Sequence, residues 1–154
     1  MENIKRTLKI ALVAHDRRKL DMVDWAVYNA KALSKHKMVC TGTTGKLISN
    51  AFKEKNIEAD ILCVSSGPFG GDAEIAAMVV KSEINLAIFL IDDLNPQPHE
   101  ADIQMLLRQC RIHNIPIACN RYSADLMITS SLWDAENYIP TTPKYEKFVR
   151  DDIN

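Results

Sequence analysis

Asp72 ends the segment Ser66-Gly-Pro-Phe-Gly-Gly-Asp72, in which three of the chain's five glycines lead up to a carboxylate. Glycine lets backbone approach a small ligand, and an aspartate held beside that ligand can act as a general base. The other two glycines lie in Thr41-Gly-Thr-Thr-Gly45 with three hydroxyls. Where a helix opens, Thr41, Gly42, Thr43 and Thr44 would offer N–H groups, O–H groups and the positive end of the helix dipole to a phosphate. His99 and Asp102 belong to Gln97-Pro-His-Glu-Ala-Asp102, which reads as a helix start with proline leading and acidic residues in the first turn. Three positions apart, they share a face. A neutral imidazole there can donate a hydrogen bond to a substrate carbonyl. His15, Asp16 and Lys19 form a fourth group, with Lys19 one helical turn beyond His15. Its ammonium could reach back over the same rim.

Plainer readings stand beside these. Thr41 and Asp72 are ordinary helix-capping types, Lys19 can be a surface lysine, and His99 a hydrogen-bonded surface histidine. His15, Asp16, Asp92, Asp93, His99 and Asp102 could instead gather a divalent metal, although no tight ligand pair such as H-E-x-x-H is present. The threonine segment is not a Walker A loop, because Cys40 stands where the first glycine would be. Without a G-x-G-x-x-G fingerprint either, nucleotide hydrolysis and nicotinamide chemistry lose support.

The elements that must position these residues alternate along the chain. Apolar strand-like runs cover 8–14, 38–40, 60–64, 86–91 and 115–119, with helical spacing over 19–34, 45–55, 73–81 and 98–113. A short helix is expected over 123–129, and a terminal one over 143–151. Near-continuous apolar strands separated by helices predict a three-layer α/β/α fold, a doubly wound and mainly parallel five-stranded sheet covered on both faces. Ligands bind such sheets outside the carboxyl ends of the strands, and there the chain places His15, Thr41, Ser66, Asp72, Asp92 and His99.

At 154 residues, with no composition break, the chain reads as one domain over 1–154. A net charge of -1 gives no nucleic-acid footprint, and the longest aliphatic run is too short to cross a bilayer. The four cysteines lack C-x-x-C spacing, and three lie in or beside strand-like runs, so reduced buried thiols and a cytoplasmic setting are expected. His36 and His113 sit near helix C-termini, where the dipole favours them.

These motifs resemble the methylglyoxal synthase family. The matching strings are Ala11-Leu-Val-Ala-His-Asp16 with Lys19, the threonine segment, residues 66–72, and 92–102 with its Leu-Asn and Pro-His-x-x-Asp elements. Asn114-Ile-Pro-Ile-Ala118, Asn120 and Ala124-Asp125 extend the likeness over roughly 9–129. The resemblance implies conversion of dihydroxyacetone phosphate to methylglyoxal and inorganic phosphate, without metal or coenzyme. It makes Asp72 the base that takes a proton from the hydroxymethyl carbon and His99 the group that polarises the ketone, with Asp102 in support. Substrate contacts fall on His15, Lys19, Thr41, Gly42, Thr43, Thr44, Ser66, Gly67 and His99, with Asp16 and Asp92 at the rim. It also implies a homohexamer inhibited by inorganic phosphate. Asp93 departs from the usual proline, Ser123 from a common threonine, and 44–66 is a few residues longer than usual, with 52–58 as the expected insertion. The alternative is a noncatalytic module of the same fold, like the regulatory domains of carbamoyl phosphate synthetases, which keep the phosphate loops but generally lack the Asp and His pair.

Overall fold

A computed structural model describes residues 6–141 and 143. The terminal helix expected over 143–151 therefore lies outside the described residues, save for its first position. Five strands, β1 (Lys9–Ala14), β2 (Lys37–Cys40), β3 (Asp60–Cys63), β4 (Leu86–Leu90) and β5 (Ile117–Ala118), form one sheet in the order β3-β2-β1-β4-β5. Every pairing is parallel. The chain runs outward from β1 through β2 to β3, then returns to place β4 on the other side of β1. That reversal opens a crevice at the carboxyl ends of β1 and β4.

Alternation along β1 sends Ile10, Leu12 and Ala14 to one face and Ala11 and Val13 to the other. The first face packs on α1 (Lys19–Tyr28), α2 (Ala30–Leu33), α3 (Gly42–Glu54) and α6 (Arg121–Thr129) through Met22, Trp25, Leu33, Ile48, Phe52 and Ala124. The second packs on α4 (Gly71–Val80) and α5 (Glu100–Ile112) through Ile75, Val79, Ile103 and Leu106. The Trp25 indole N–H donates to Asp125 at 2.9 Å, tying α1 to α6.

Several boundaries move from their expected places, each for a local reason. The single helix expected over 19–34 breaks at Asn29, whose amide donates to the Trp25 carbonyl at 2.9 Å and competes with the helical ladder. β5 shrinks to two residues after Pro116, whose carbonyl accepts from Ala87 while its nitrogen has no proton to give. β3 is an edge strand, leaving Cys63 and Leu62 exposed rather than buried; Cys119 is exposed too, while Cys40 and Cys110 are buried. The segment 52–58 forms the end of α3 and its cap, where Asn56 adopts φ 56° and the Ile57 N–H returns to the Phe52 carbonyl.

Candidate active site

The threonine segment is not a loop before a helix but the first turn of α3 itself, three residues earlier than the spacing suggested. Thr41 holds the N-cap position without capping through its side chain, and the first helical bond runs from the Gly45 N–H to the Thr41 carbonyl. The Thr43 and Thr44 amides precede that bond and have no intrahelical partner, as an anion site requires. Gly42 spends its N–H on the Ser65 carbonyl at 3.2 Å, pinning this turn to the segment carrying Ser66 and Gly67.

Asp72 is likewise inside a helix. Gly70, at φ 104°, occupies the N-cap of α4, so Asp72 sits one position into the first turn and makes no capping hydrogen bond. Capping therefore does not explain it. Its side chain is 1% exposed, and neither carboxylate oxygen has a hydrogen-bond partner among the described residues. His99 Nε2 lies 3.3 Å from Asp72 Oδ2, a close contact off the hydrogen-bond line. Burial pushes the Asp72 carboxyl above its usual range, and Asp102 adds to this; the attraction of His99 and Lys19 only partly offsets it. A helix N-terminus favours an ionised carboxylate, and desolvation works against it here.

His15 follows β1 and is held by a residue far away in sequence. The Asp92 N–H donates to His15 Nδ1 at 2.9 Å, so Nδ1 is the acceptor and the neutral ring carries its proton on Nε2. That Nε2 is buried without a partner among the described residues. Burial lowers the His15 pKa, and the neighbouring His99 and Lys19 reinforce the neutral form. The two imidazoles meet edge to face with centroids 5.9 Å apart. Lys19 reaches back as expected, its Nζ donating to the Ala14 carbonyl at 3.1 Å and to Asp16 Oδ1 at 2.6 Å. Lys19 holds the Asp16 carboxyl below its ordinary range. Arg17 is exposed yet stands 3.7 Å from the buried Asp92.

A cavity of about 220 Å³ joins these groups. His15, Asp16, Lys19, Thr41, Thr43, Ser66, Gly67, Asp72 and His99 line it. Gly42, Thr44, Asp92 and Asp102 do not. Thr44 is fully buried beside the Thr41 hydroxyl, Asp92 stands behind His15, and Asp102 touches the His99 backbone. Gly67 is the close-approach glycine: a Cβ there would stand 3.0 Å from His99 Nε2 and 3.2 Å from Asp72 Oδ1. Gly70 and Gly71, expected to admit substrate, serve the backbone instead, Gly71 lying against the Ser65 carbonyl. Sequence reasoning missed Phe69 and Gln97 as lining residues, although both occupy segments already singled out. Among the described residues no group of three or more His, Cys, Asp or Glu side chains is placed to hold a metal ion.

Fold and site together define an α/β enzyme domain in which a threonine-rich helix N-terminus and a buried acid–imidazole pair face one small cavity. The family model described as an MGS-like domain matches residues 21–119, and the chain belongs to that family. It is 67% identical over 147 residues to the methylglyoxal synthase of Treponema socranskii, covering 96% of this chain and 93% of that one. It is 41% identical over 140 residues to the methylglyoxal synthase of Coxiella burnetii strain RSA 493, covering 91% and 94%. The crystal structure of methylglyoxal synthase from Elizabethkingia anophelis NUHP1 superposes with a TM-score of 0.81 at 37% identity, covering 94% of this chain and 91% of that one.

Proposed function

We propose that this chain is a carbon–oxygen lyase that converts dihydroxyacetone phosphate to methylglyoxal and inorganic phosphate. The observation that carries the reading is Asp72: a buried, unpartnered carboxylate 3.3 Å from His99, in the same cavity as Lys19 and the α3 N-terminal turn. A module that only bound its ligand would have no use for so costly a group.

The phosphate sits against Thr41, Thr43 and Lys19, with Ser66 and Gly67 along its other side. Asp72 removes a proton from the hydroxymethyl carbon, and its electrons form the double bond of an enediolate. His99 and the Nε2–H of His15 donate to the developing oxyanion, an arrangement organised before the charge appears. A positioned base contributes about 10² to 10⁴ in rate, and the raised carboxyl makes Asp72 a stronger one than an exposed aspartate. The carbon–oxygen bond to phosphate then breaks. Orbital overlap requires that bond to stand out of the enediolate plane, so the grip on phosphate selects elimination over isomerisation. The resulting enol takes a proton to become methylglyoxal. Asp102 raises the basicity of Asp72 through space, and Asp92 fixes the His15 ring.

The same resemblance supports a homohexameric enzyme inhibited by its phosphate product, and the cysteine usage supports a cytoplasmic setting; sedimentation of the purified chain tests the assembly. No helix among the described residues is long and apolar enough to cross a membrane. Chelator-treated protein incubated with dihydroxyacetone phosphate should release methylglyoxal and phosphate in equal amounts. Phosphate without methylglyoxal, or activity restored only by a divalent ion, would overturn the proposal.

A further inference from the structure

Cys40 and Cys63 are register partners on neighbouring parallel strands, so their side chains leave the same face of the sheet. Adjacent strands lie about 4.7–4.9 Å apart, inside the span of about 4.4–6.8 Å that a disulfide bridges between Cα atoms. A Cβ built on Gly45 would collide with Cys63 Sγ and stand 3.0 Å from Cys40 Cβ, which places both side chains together under the first turn of α3. Cys63 is exposed on the edge strand, whereas Cys40 is wholly buried and bonded directly to Thr41.

We propose that Cys40 and Cys63 form an oxidisable dithiol which peroxide converts to an intramolecular disulfide, loosening the phosphate-binding turn of α3. The phosphate arm of this inference rests on the function proposed above; the thiol chemistry does not. The Cys63 thiolate attacks one peroxide oxygen, breaking the O–O bond and releasing water once the hydroxide takes up a proton. Cys40 sulfur then attacks the resulting sulfenic sulfur, the S–O bond breaks, and a second water leaves with the thiol proton. Two thiols are oxidised by two electrons, and one peroxide is reduced to two waters. Burial raises the Cys40 pKa, so condensation is slower than the attack by exposed Cys63. Cys110 is buried and pushed up to about 12, while burial and Asp93 raise Cys119, so that pair is the poorer target.

Closing the bridge draws Cys63 Sγ from its seat against Gly45 toward Cys40, beneath the turn whose amides face the cavity. Hydrogen peroxide should remove two of the four titratable thiols and yield a Cys40–Cys63 linked peptide from monomeric protein, reversed by dithiothreitol. Cys63→Ser should lose the linked peptide and Cys119→Ser should keep it. Calorimetric titration with inorganic phosphate should show several-fold weaker binding to the bridged form. Sulfinic or sulfonic Cys63 without a linked peptide, or an equal phosphate affinity in both forms, overturns the inference. Untreated protein that binds no phosphate would instead sink the assignment of the α3 turn.

Discussion

His15 and His36 stand near opposite ends of β1 and are built almost alike. Each is buried, each accepts a backbone N–H on Nδ1 (from Asp92 at 2.9 Å and from Leu8 at 3.0 Å), and burial lowers each pKa. Their difference lies beyond Nε2. Beside His15 are Lys19, His99 and the cavity; beside His36 are the Trp133 ring and, 3.7 Å away, Asp134. An unusual imidazole is therefore not a functional one by itself. At the amino end of the strand the same device seals a protein core, and at the carboxyl end it leaves an unpartnered Nε2 on a residue that lines the cavity, where the proposed reaction needs a proton donor. The helix-terminus role expected for His36 is replaced by this acceptor role.

Substitutions can break that contrast. Asp72→Asn should lower kcat by about 10² to 10⁴, yet melt above the parent at neutral pH because it deletes a buried charge. Near-normal phosphate release would remove Asp72 from the chemistry, and a lower melting temperature would mean that its contact with His99 outweighs desolvation. His15→Ala should cost about 10² to 10³ in kcat by losing one oxyanion donor, whereas His36→Gln should leave kcat and KM unchanged. Equal losses from the two variants would erase the distinction drawn between the ends of β1. Lys19→Ala should raise KM about tenfold or more and weaken competition by inorganic phosphate, in keeping with about 1.5–3 kcal/mol for a charged hydrogen bond. Unchanged inhibition by phosphate would release Lys19 from that role.

The smallest effect concerns pH. Both histidines bind protons less readily folded than in the unfolded chain, whose value is about 6.5. Their stabilising share is full above that value and drains as pH falls below it toward the lowered folded values. Asp72 works in the opposite sense, since its raised folded pKa favours the folded state in acid and withdraws that support as pH rises. His36→Gln should flatten the fall in melting temperature between roughly pH 6.5 and 5 without touching the rate profile. A slope identical to the parent's would place the proton uptake elsewhere.

Much of the site was legible because its residue types are tied to local geometry. The glycines, the threonines and the Pro-His turn each declare a strand-to-helix junction, and parallel topology brings such junctions to one edge. What stayed hidden depends on long-range packing. The hydrogen bond that fixes the His15 tautomer spans 77 positions and leaves no local mark in sequence. The burial of Asp72 follows from how α4 meets the sheet and raises a carboxyl pKa that a helix start would lower. Strand order could not be read from periodicity, so the edge position of β3 and the exposure of Cys63 emerged only in the fold.

Gly67 carries a consequence for anyone diversifying this scaffold. The smallest heritable enlargement there, one methyl group, would crowd His99 Nε2 and Asp72 Oδ1 together and shift the imidazole against the acid. Two residues later Phe69 borders the same cavity with 86% of its surface in solvent. A mutant library aimed at new substrates should hold codon 67 fixed and randomise codon 69.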